Sequence, residues 1–260
     1  MTRQPEDLTV AGENESFLNL VNTSTQDALL ADVKRCLEEK TGFTIATLNL
    51  DHIVKLRRDA DFRAAYRRHS HVVADGNPIV WLRYLMGRPV ELVPGSDLIL
   101  PLARLAQETG TPVALIGSTE ETLAQAAAKL EATVPGLRIV TQISPEFGFD
   151  VTGSQADDLL QQLKYSDARL VFLAFGAPKQ EILAARGATI LQDRGFVSIG
   201  AGLDFIAGGQ RRAPEWMRRF ALEWLWRVLS NPRRLLKRYA ECFAILPSLV
   251  VLAVRSRLHR

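Results

Sequence analysis

The chain has 260 residues, 47% of them hydrophobic, so it is long enough to bury a full core as one large domain or as a domain with an appendage. Two cysteines, Cys36 and Cys242, are too few for a disulfide framework and match no metal-binding spacing, which favours a reducing compartment. The net charge of +3 combines an acidic body with a basic tail, because residues 211–260 hold twelve Lys or Arg against three Asp or Glu.

The two ends of the chain differ in composition from its middle. Residues 1–15 are polar and acidic, lack the apolar centre of a signal peptide, and predict a flexible segment. We expect an α/β catalytic or binding domain over residues 16–210 and a helical appendage over residues 211–260. No run approaches the roughly 20 apolar residues that span a bilayer, so the sequence predicts no spanning segment.

Strands and helices are expected to alternate along the body of the chain. The expected strands cover residues 16–21, 43–49, 71–74, 112–118, 138–140, 170–175 and 196–199. The expected helices cover residues 25–39, 52–58, 59–68, 79–86, 98–109, 120–132 and 154–164, and another begins near residue 178. This alternation predicts an α/β fold with a Rossmann-like, mostly parallel sheet covered by helices on both faces.

Two acidic segments in this series suit different roles. Asp59-Ala60-Asp61 matches the D-x-D pattern that holds a metal on a nucleotide diphosphate, but it follows polar residues and begins a helix, so we interpret it as helix capping. Asp75 and Gly76 instead end a strand. A carboxylate there faces the crevice in which open α/β sheets bind ligands, although Asp75 also suits a cap of the next helix.

Glycines end three of the expected strands, at Gly117, Gly176 and Gly200. Gly176 is followed by residues 178–181, Pro-Lys-Gln-Glu, which predict the first turn of a helix. A buried parallel strand that ends in glycine and opens a helix presents backbone amides to phosphate groups, but ordinary strand-to-helix turns share this pattern. After Gly200, the dinucleotide fingerprint G-x-G-x-x-G is not completed, because Phe205 takes the third glycine position.

The appendage predicts two basic, amphipathic helices that begin at Ala213-Pro214 and Asn231-Pro232. Residues 243–254 are an apolar stretch broken by Pro247, which either dips into one leaflet of a membrane or packs against the body. Tryptophans beside many arginines fit a helix in the headgroup region. The expected lipid-facing residues are Arg218, Arg219, Trp224, Arg227, Arg233, Arg234, Lys237 and Arg238.

Four segments of the chain together resemble one protein family. They are GAPKQE at residues 176–181, the glycine-dense segment 200–209, RRAPEWM at residues 211–217 and LEWLWR at residues 222–227. This combination resembles the WecG/TagA/CpsF family of bacterial glycosyltransferases (family 26), over nearly the whole chain from about residue 16. The resemblance implies transfer of a sugar from a UDP-sugar to a saccharide on polyprenyl diphosphate, with inversion at the anomeric carbon and without a required metal or other cofactor.

The resemblance also implies roles for individual residues. It places the general base on Asp75 and gives Thr47, Asn49 and Gln180 roles in orienting or hydrogen-bonding the substrates. Asp204 binds ribose or uracil in this reading, with a structural carboxylate as the alternative. The expected substrate- or nucleotide-binding residues are Gly76, Gly117, Gly176, Lys179, Gly200, Gly202, Asp204, Arg211 and Arg212. The family usually has arginine where this chain has Leu92.

The implied partners are a UDP-sugar, a polyprenyl-diphosphate-linked saccharide and an anionic membrane surface, with peripheral attachment to the cytoplasmic face of the inner membrane. Exposed apolar helices favour homo-oligomers. The chain shows no nucleic-acid module, so we expect no nucleic acid as a partner. Two other classes stay open. One is a nucleotide-cofactor oxidoreductase on a similar sheet, and the other is a non-catalytic membrane adaptor, which leaves Asp75 and Gln180 without a purpose.

Overall fold

The computed structural model describes residues 17–209, 213, 214, 217, 223–230 and 232–258. The strands are β1 (Phe43–Leu48), β2 (His71–Ala74), β3 (Val113–Gly117), β4 (Ile139–Ile143), β5 (Leu170–Ala174) and β6 (Gly195–Ser198). They form one six-stranded sheet in the order β2-β1-β6-β5-β3-β4, and every neighbouring pair is parallel. This sheet confirms the predicted α/β fold.

Helices cover both faces of the sheet. The body contains α1 (Gln26–Glu39), α2 (Leu50–Arg58), α3 (Ala60–Arg67), α4 (Asn77–Leu85), α5 (Gly95–Glu108), α6 (Glu120–Thr133), α7 (Ser154–Tyr165), α8 (Lys179–Ile190) and α9 (Gly202–Ala207), and α10 (Glu223–Ser230) and α11 (Pro232–Leu258) follow. One apolar layer joins the sheet to α1, α5, α6 and α9, and the other joins it to α2, α3, α4, α7, α8 and α11.

The strands read as continuous apolar runs because both of their faces are buried. Ile45 and Val73 point into one layer, while their neighbours Ala46 and Val72 point into the other. All six residues of β1 are buried. Side chains cap the starts of α1, α2, α3 and α6. At α3, the carboxylate of Asp59 accepts from the N–H of Phe62 at 2.9 Å, which confirms capping as the role of the D-x-D segment.

The expected first strand is wrong where the structure describes it. Phe17 and Leu18 lie in a helical turn, and both are buried in the layer that contains α4 and α11. Asn22 and Thr23 then donate from their backbone amides to the carbonyl of Val72, at 3.1 and 3.2 Å. The run is apolar because it covers a core layer, and a stretch of this length does not distinguish that role from a strand.

α11 is one continuous helix, whereas the sequence predicts a break at Pro247. Pro247 and Phe243 both lie on the exposed side of the helix, so the carbonyl that loses its intrahelical partner faces away from the core. Leu249 and Ala253, on the opposite side, are fully buried against α2 and α4. The stretch therefore packs against the body, one of the two arrangements that the sequence leaves open.

The expectation that no segment is long enough to span a bilayer is wrong by length and composition. Within the described residues, one helical segment, Leu235–Leu258, has 24 residues, and its most apolar 18-residue window has a mean hydropathy of 1.5. About 28% of its most apolar window is buried inside the protein. The sequence-based view treated Pro247 as an interruption, and the continuous helix removes that interruption.

Candidate active site

The C-terminal ends of five neighbouring strands meet at one edge of the sheet. In spatial order from β2 to β3, these ends lead into Asp75, Asn49, Gly200, Gly176 and Ser118. With about 4.8 Å between neighbouring strands, they line an edge roughly 20 Å long. This is the edge at which open parallel sheets bind ligands.

Two side chains at the end of β1 hold the carboxylate of Asp75. Asn49 donates from Nδ2 to Asp75 Oδ2 at 3.2 Å, and the hydroxyl of Thr47 lies 3.5 Å from the same oxygen. The amide of Asn49 has one orientation, because its Oδ1 accepts from the backbone N–H of His52 at 3.0 Å. The structure thus brings together Asp75, Thr47 and Asn49, which the sequence assigned to one site.

Asp75 does not cap the helix that follows it. The N-cap of α4 is Gly76, at a φ of +102°, and no side chain hydrogen-bonds to that end of the helix. Asp75 is half-buried, with its backbone amide donating to the carbonyl of Leu48 at 2.8 Å. The carboxylate is therefore fixed to the neighbouring strand and directed by side chains, rather than used to start α4.

A buried hydrogen-bond chain fixes the backbone beneath this carboxylate. The hydroxyl of Tyr66 donates to the carbonyl of Thr47 at 2.7 Å and lies 2.7 Å from Nδ1 of His52. Burial lowers the pKa of His52 to about 3 and raises the pKa of Tyr66 well above its usual value, so both side chains are neutral at pH 7. Because the Tyr66 proton is used toward Thr47, Nδ1 of His52 carries the proton that is donated to Tyr66.

Gln180 joins two glycine loops. Its Oε1 accepts from the backbone N–H of Gly176 at 3.2 Å and from that of Gly200 at 3.0 Å. Its Nε2 donates to Oε1 of Glu181 at 2.8 Å, and Gln180 is only 3% exposed. The sequence predicted a hydrogen bond from Gln180 to sugar or phosphate, but in this arrangement the amide is used within the protein.

Glu181 is completely buried beside this amide. No described residue donates a hydrogen bond to its Oε2. Burial raises the pKa of Glu181 to about 7, and the hydrogen bond from Gln180 and the charge of Lys55 act in the opposite direction. The sequence analysis gave Glu181 no role beyond the first turn of a helix, since a charged residue there usually faces solvent.

Ion pairs connect α11 to the loop of Gly176. Oδ2 of Asp51, on α2, lies 2.8 Å from Nζ of Lys55 and 2.9 Å from Nη2 of Arg238, on α11. Lys55 also donates to the carbonyl of Ala177 at 2.9 Å. Arg238 therefore pairs with the body while 40% of its side chain stays exposed, and its place among the lipid-facing residues remains a prediction.

The remaining predicted lipid-facing residues divide into three groups. Trp224 packs between the last two helices, with its ring centroid 5.0 Å from that of Phe243 and 6.0 Å from that of Tyr239. Arg233 and Lys237 are exposed on α11. The side chains of Arg227 and Arg234 lie outside the described part of the structure, and so do the whole of Arg218 and Arg219. The predicted nucleotide-binding residues Arg211 and Arg212 also lie outside it.

Asp204 lies at the β3 side of the edge. Its Oδ1 accepts from the hydroxyl of Ser118 at 3.2 Å, and Ser144 donates to the carbonyl of Ser118 at 2.8 Å.

Two of the predicted nucleotide-binding glycines lie where neighbouring atoms of the protein leave no room for a side chain. A Cβ on Gly117 would lie 2.6 Å from the carbonyl oxygen of Ala174, and one on Gly202 would lie 2.4 Å from Cδ1 of Ile99.

Lys179 ties down the loop that follows β4. Its Nζ donates to the carbonyl of Phe149 at 2.7 Å, so its ammonium group is hydrogen-bonded to this loop. The loop turns at residues 146–149, where the N–H of Phe149 donates to the carbonyl of Glu146 at 3.1 Å, and Phe147 at its tip is fully exposed. No pattern in the sequence marked Phe147, because a single aromatic residue in a polar loop carries no periodic signal.

Leu92 lies beside the candidate carboxylate. It forms an isolated parallel bridge with Ala74, the residue before Asp75, and its side chain is 40% exposed. An apolar side chain thus occupies the place at which the resemblance predicts arginine.

Within the described residues, no group of three or more His, Cys, Asp or Glu side chains is placed to hold a metal ion.

The comparison with protein families confirms the resemblance. The model of the glycosyl transferase WecG/TagA/CpsF family matches residues 16–260, which is nearly the whole chain. The match covers the carboxylate of Asp75, both glycine loops and the C-terminal helices. The chain therefore belongs to the WecG/TagA/CpsF family, and it is a glycosyltransferase of cell-wall or polysaccharide biosynthesis.

Proposed function

We propose that this protein is an inverting glycosyltransferase that moves a sugar from a UDP-sugar to a hydroxyl of a saccharide carried on polyprenyl diphosphate. The sugar is a hexose, a uronic acid or an N-acetylhexosamine such as N-acetylmannosamine. One observation carries the proposal. A half-buried carboxylate, Asp75, stands at the ligand edge of the sheet and is oriented by an amide that has only one available direction.

Asp75 acts as the general base. It takes the proton of the acceptor hydroxyl while that oxygen forms its bond to the anomeric carbon, on the face opposite the diphosphate. The bond between the anomeric carbon and the diphosphate oxygen breaks, and its electron pair leaves with UDP, so the configuration inverts. Asn49 and Thr47 keep the carboxylate directed at the acceptor.

The diphosphate of the donor binds the loops that follow β5 and β6. Within the described residues, no acceptor faces the backbone N–H groups of Ala177 and Ala201, which directly follow Gly176 and Gly200. Amides at the start of α8 favour an anion, because the helix dipole adds positive potential there. Asp204 binds the ribose or the base from the β3 side. Charge for the leaving diphosphate comes from arginines 211 and 212, without a metal.

The C-terminal helices attach the enzyme to the cytoplasmic face of the inner membrane. The outward side of α11 combines basic residues with large exposed apolar side chains, which favours the headgroup region of an anionic bilayer. The large exposed apolar residues of this side are Leu236, Phe243, Val250, Val251, Val254 and Leu258. Removing residues 211–260 is an unsuitable test of this attachment, because Leu249 and Ala253 belong to the core.

An assay of UDP release tests the activity. Wild-type protein is incubated with EDTA, a panel of UDP-sugars and a short-chain polyprenyl diphosphate-sugar acceptor. We expect acceptor-dependent release from one donor, undiminished by EDTA. Release that requires added metal would contradict the metal-free mechanism. Silence across the panel, together with no UDP binding by calorimetry, would contradict the UDP-sugar donor.

Flotation with vesicles tests the attachment. We expect the protein to float with vesicles that contain anionic phospholipid and not with purely zwitterionic ones. The double variant Phe243→Ser/Val251→Ser should lose flotation. Val140→Ser, at an exposed position on β4 away from the appendage, is the matched control and should float like the wild type. Equal flotation of all three proteins would contradict attachment through α11.

A further inference from the structure

We propose that Glu181 is a positioning residue for the donor site: by accepting from Gln180, it fixes the amide that holds the loops of Gly176 and Gly200 together. The inference rests on the proposed function, since it takes these two loops to be the place where the donor diphosphate binds. It assigns a task to a completely buried carboxylate that the transfer reaction itself does not use.

The orientation of Gln180 follows from hydrogen-bond chemistry. The two ends of a glutamine amide have nearly the same shape, but one accepts and the other donates. Backbone N–H groups can only donate, so the end that faces Gly176 and Gly200 must be Oε1. The NH₂ end then points at Glu181, where a carboxylate offers an acceptor in a site without water access.

Loss of this acceptor disturbs the amide in either orientation. If Oε1 stays on the glycines, the NH₂ group of Gln180 is buried without a partner. If the amide flips, its NH₂ group meets two N–H donors. Either state costs about as much as one buried hydrogen bond, which corresponds to a factor of about ten or more in the population of the joined loops.

This clamp joins the two loops to each other, while Lys55 holds the carbonyl of Ala177 and the N–H of Phe205 holds the carbonyl of Ala201. Gly176 and Gly200 adopt φ values of +73° and +57°, and no atom lies within 4 Å of the place where a Cβ would stand on either residue. Glycine loses more conformational freedom on ordering than any other residue. The bonds to Gln180 therefore fix the residues that directly precede the amides of Ala177 and Ala201.

The surroundings of Glu181 indicate that its acceptor, and not its charge, is what Gln180 requires. The charges of Asp51 and Lys55 on α2 act on the pKa of Glu181, and the charge of Glu181 acts on the pKa of Tyr66 on α3. Burial raises the pKa of Glu181 to about 7, so both protonation states are present at neutral pH. Oε1 accepts from Gln180 in both states, and glutamine at position 181 can offer an amide oxygen in the same place.

Two measurements test the inference on Glu181→Leu and Glu181→Gln. The first is hydrogen exchange of the Gly176 and Gly200 amides by NMR on ligand-free protein. In Glu181→Leu we expect both amides to exchange about tenfold faster or more, with exchange at Leu173 in β5 unchanged. The second is UDP affinity by calorimetry, which should fall about tenfold in the same variant, with KM for the donor affected more than kcat.

The conservative variant and a packing control separate positioning from general damage. Glu181→Gln should keep both readouts within about threefold of wild type. Leu183→Ala, a fully buried change on the same helix, should lower thermal stability and leave exchange at Gly176 and Gly200 unchanged. Wild-type exchange and UDP affinity in Glu181→Leu would overturn the proposal, as would a loss in Glu181→Gln as large as that in Glu181→Leu.

A swap variant keeps the proposal testable if Glu181→Leu does not fold. Gln180→Glu places two carboxylates against each other and should weaken UDP binding. Adding Glu181→Gln gives a glutamate that accepts from both glycines and from the new amide, so the double variant should recover affinity. Equal affinities in the two would overturn the proposal. If the wild type binds no UDP, the proposed function is contradicted. In that case hydrogen exchange at Gly176 and Gly200, measured without ligand, still tests whether Glu181 positions Gln180.

Discussion

Asp75 and Glu181 each accept a hydrogen bond from an oriented amide, and they differ in exposure. Asn49 donates to Asp75 while its own oxygen accepts from a backbone amide, and Gln180 donates to Glu181 while its oxygen accepts from two. Asp75 is half-buried at the ligand edge, whereas Glu181 is completely buried. An amide–carboxylate pair is therefore placed to react with a substrate at Asp75 and to fix the backbone at Glu181.

The difference shows what burial does to a carboxylate beside a substrate site. Glu181 has no path to an acceptor hydroxyl, and burial raises its pKa to about 7. Asp75 keeps access to the crevice, with its orientation set by side chains of β1. The comparison predicts that changes at Asp75 affect turnover, while changes at Glu181 affect donor binding.

The largest expected effect is at Asp75. Asp75→Asn keeps the shape and removes the base, so we expect kcat to fall by about a hundredfold or more. UDP affinity should stay within about threefold of wild type. Asp61→Asn, an exposed carboxylate on α3, is the matched control and should keep wild-type kcat. Retained turnover in Asp75→Asn would contradict its role as base.

A smaller effect is expected from the amide that directs Asp75. Asn49→Ser preserves a helix cap, because serine is also a favoured N-cap, but it removes the donor to the carboxylate. We expect kcat to fall about tenfold with little change in thermal stability. Kinetics and a thermal melt on the same preparation measure both quantities. A large loss of stability with unchanged kcat would mean that Asn49 serves only the helix.

The ion pair between α11 and the body gives the next effect in size. Arg238→Met leaves Asp51 paired with Lys55 alone, so the free energy of unfolding in urea should fall by about 1 kcal/mol. Arg233→Met, at an exposed position of the same helix, should change it by less than about 0.5 kcal/mol. Equal losses would show that Arg238 contributes no docking contact.

The last effect is a pH dependence of stability. The pKa of Glu181 is raised from 4.5 to about 7 on folding, so its contribution is fully present below about pH 4.5 and is lost as the pH rises through about 7. The variant Glu181→Gln has no carboxyl group at this position, so it does not lose this stability as the pH rises. The Tm of the variant relative to wild type should therefore rise by a few degrees between about pH 5 and pH 8. Burial lowers the pKa of His52 and His69, so their contributions to stability rise with pH instead of falling. Both histidines are present in the wild type and the variant, so their effect cancels in the comparison.

Much of this architecture follows from local sequence pattern. Continuous apolar runs that end in glycine predicted the parallel strands, and Pro178 predicted the start of α8 within one residue. Asp75 was identified because it follows a strand at the edge where open sheets bind ligands, and because the family resemblance places the general base there. The cap at Asp59 was predicted from its position before a helix.

The contacts of individual side chains did not follow from pattern. Gln180 turns inward because two loops distant in sequence both place an N–H against it, and no local rule contains that information. Glu181 is completely buried on α8, which packs against α3 and the sheet, although its residue type predicts exposure. Arg238 meets Asp51 because α11 packs against α2, a contact between parts of the chain that are distant in sequence.

The most direct test measures kcat and the Kd for UDP on the same preparations of Asp75→Asn and Glu181→Leu. The account predicts opposite outcomes for the two variants. Asp75→Asn should lose turnover and keep UDP affinity, and Glu181→Leu should lose UDP affinity and keep most of its turnover at saturating donor. Loss of the same quantity in both variants would contradict the division of the site into a reacting carboxylate and a buried, loop-fixing one.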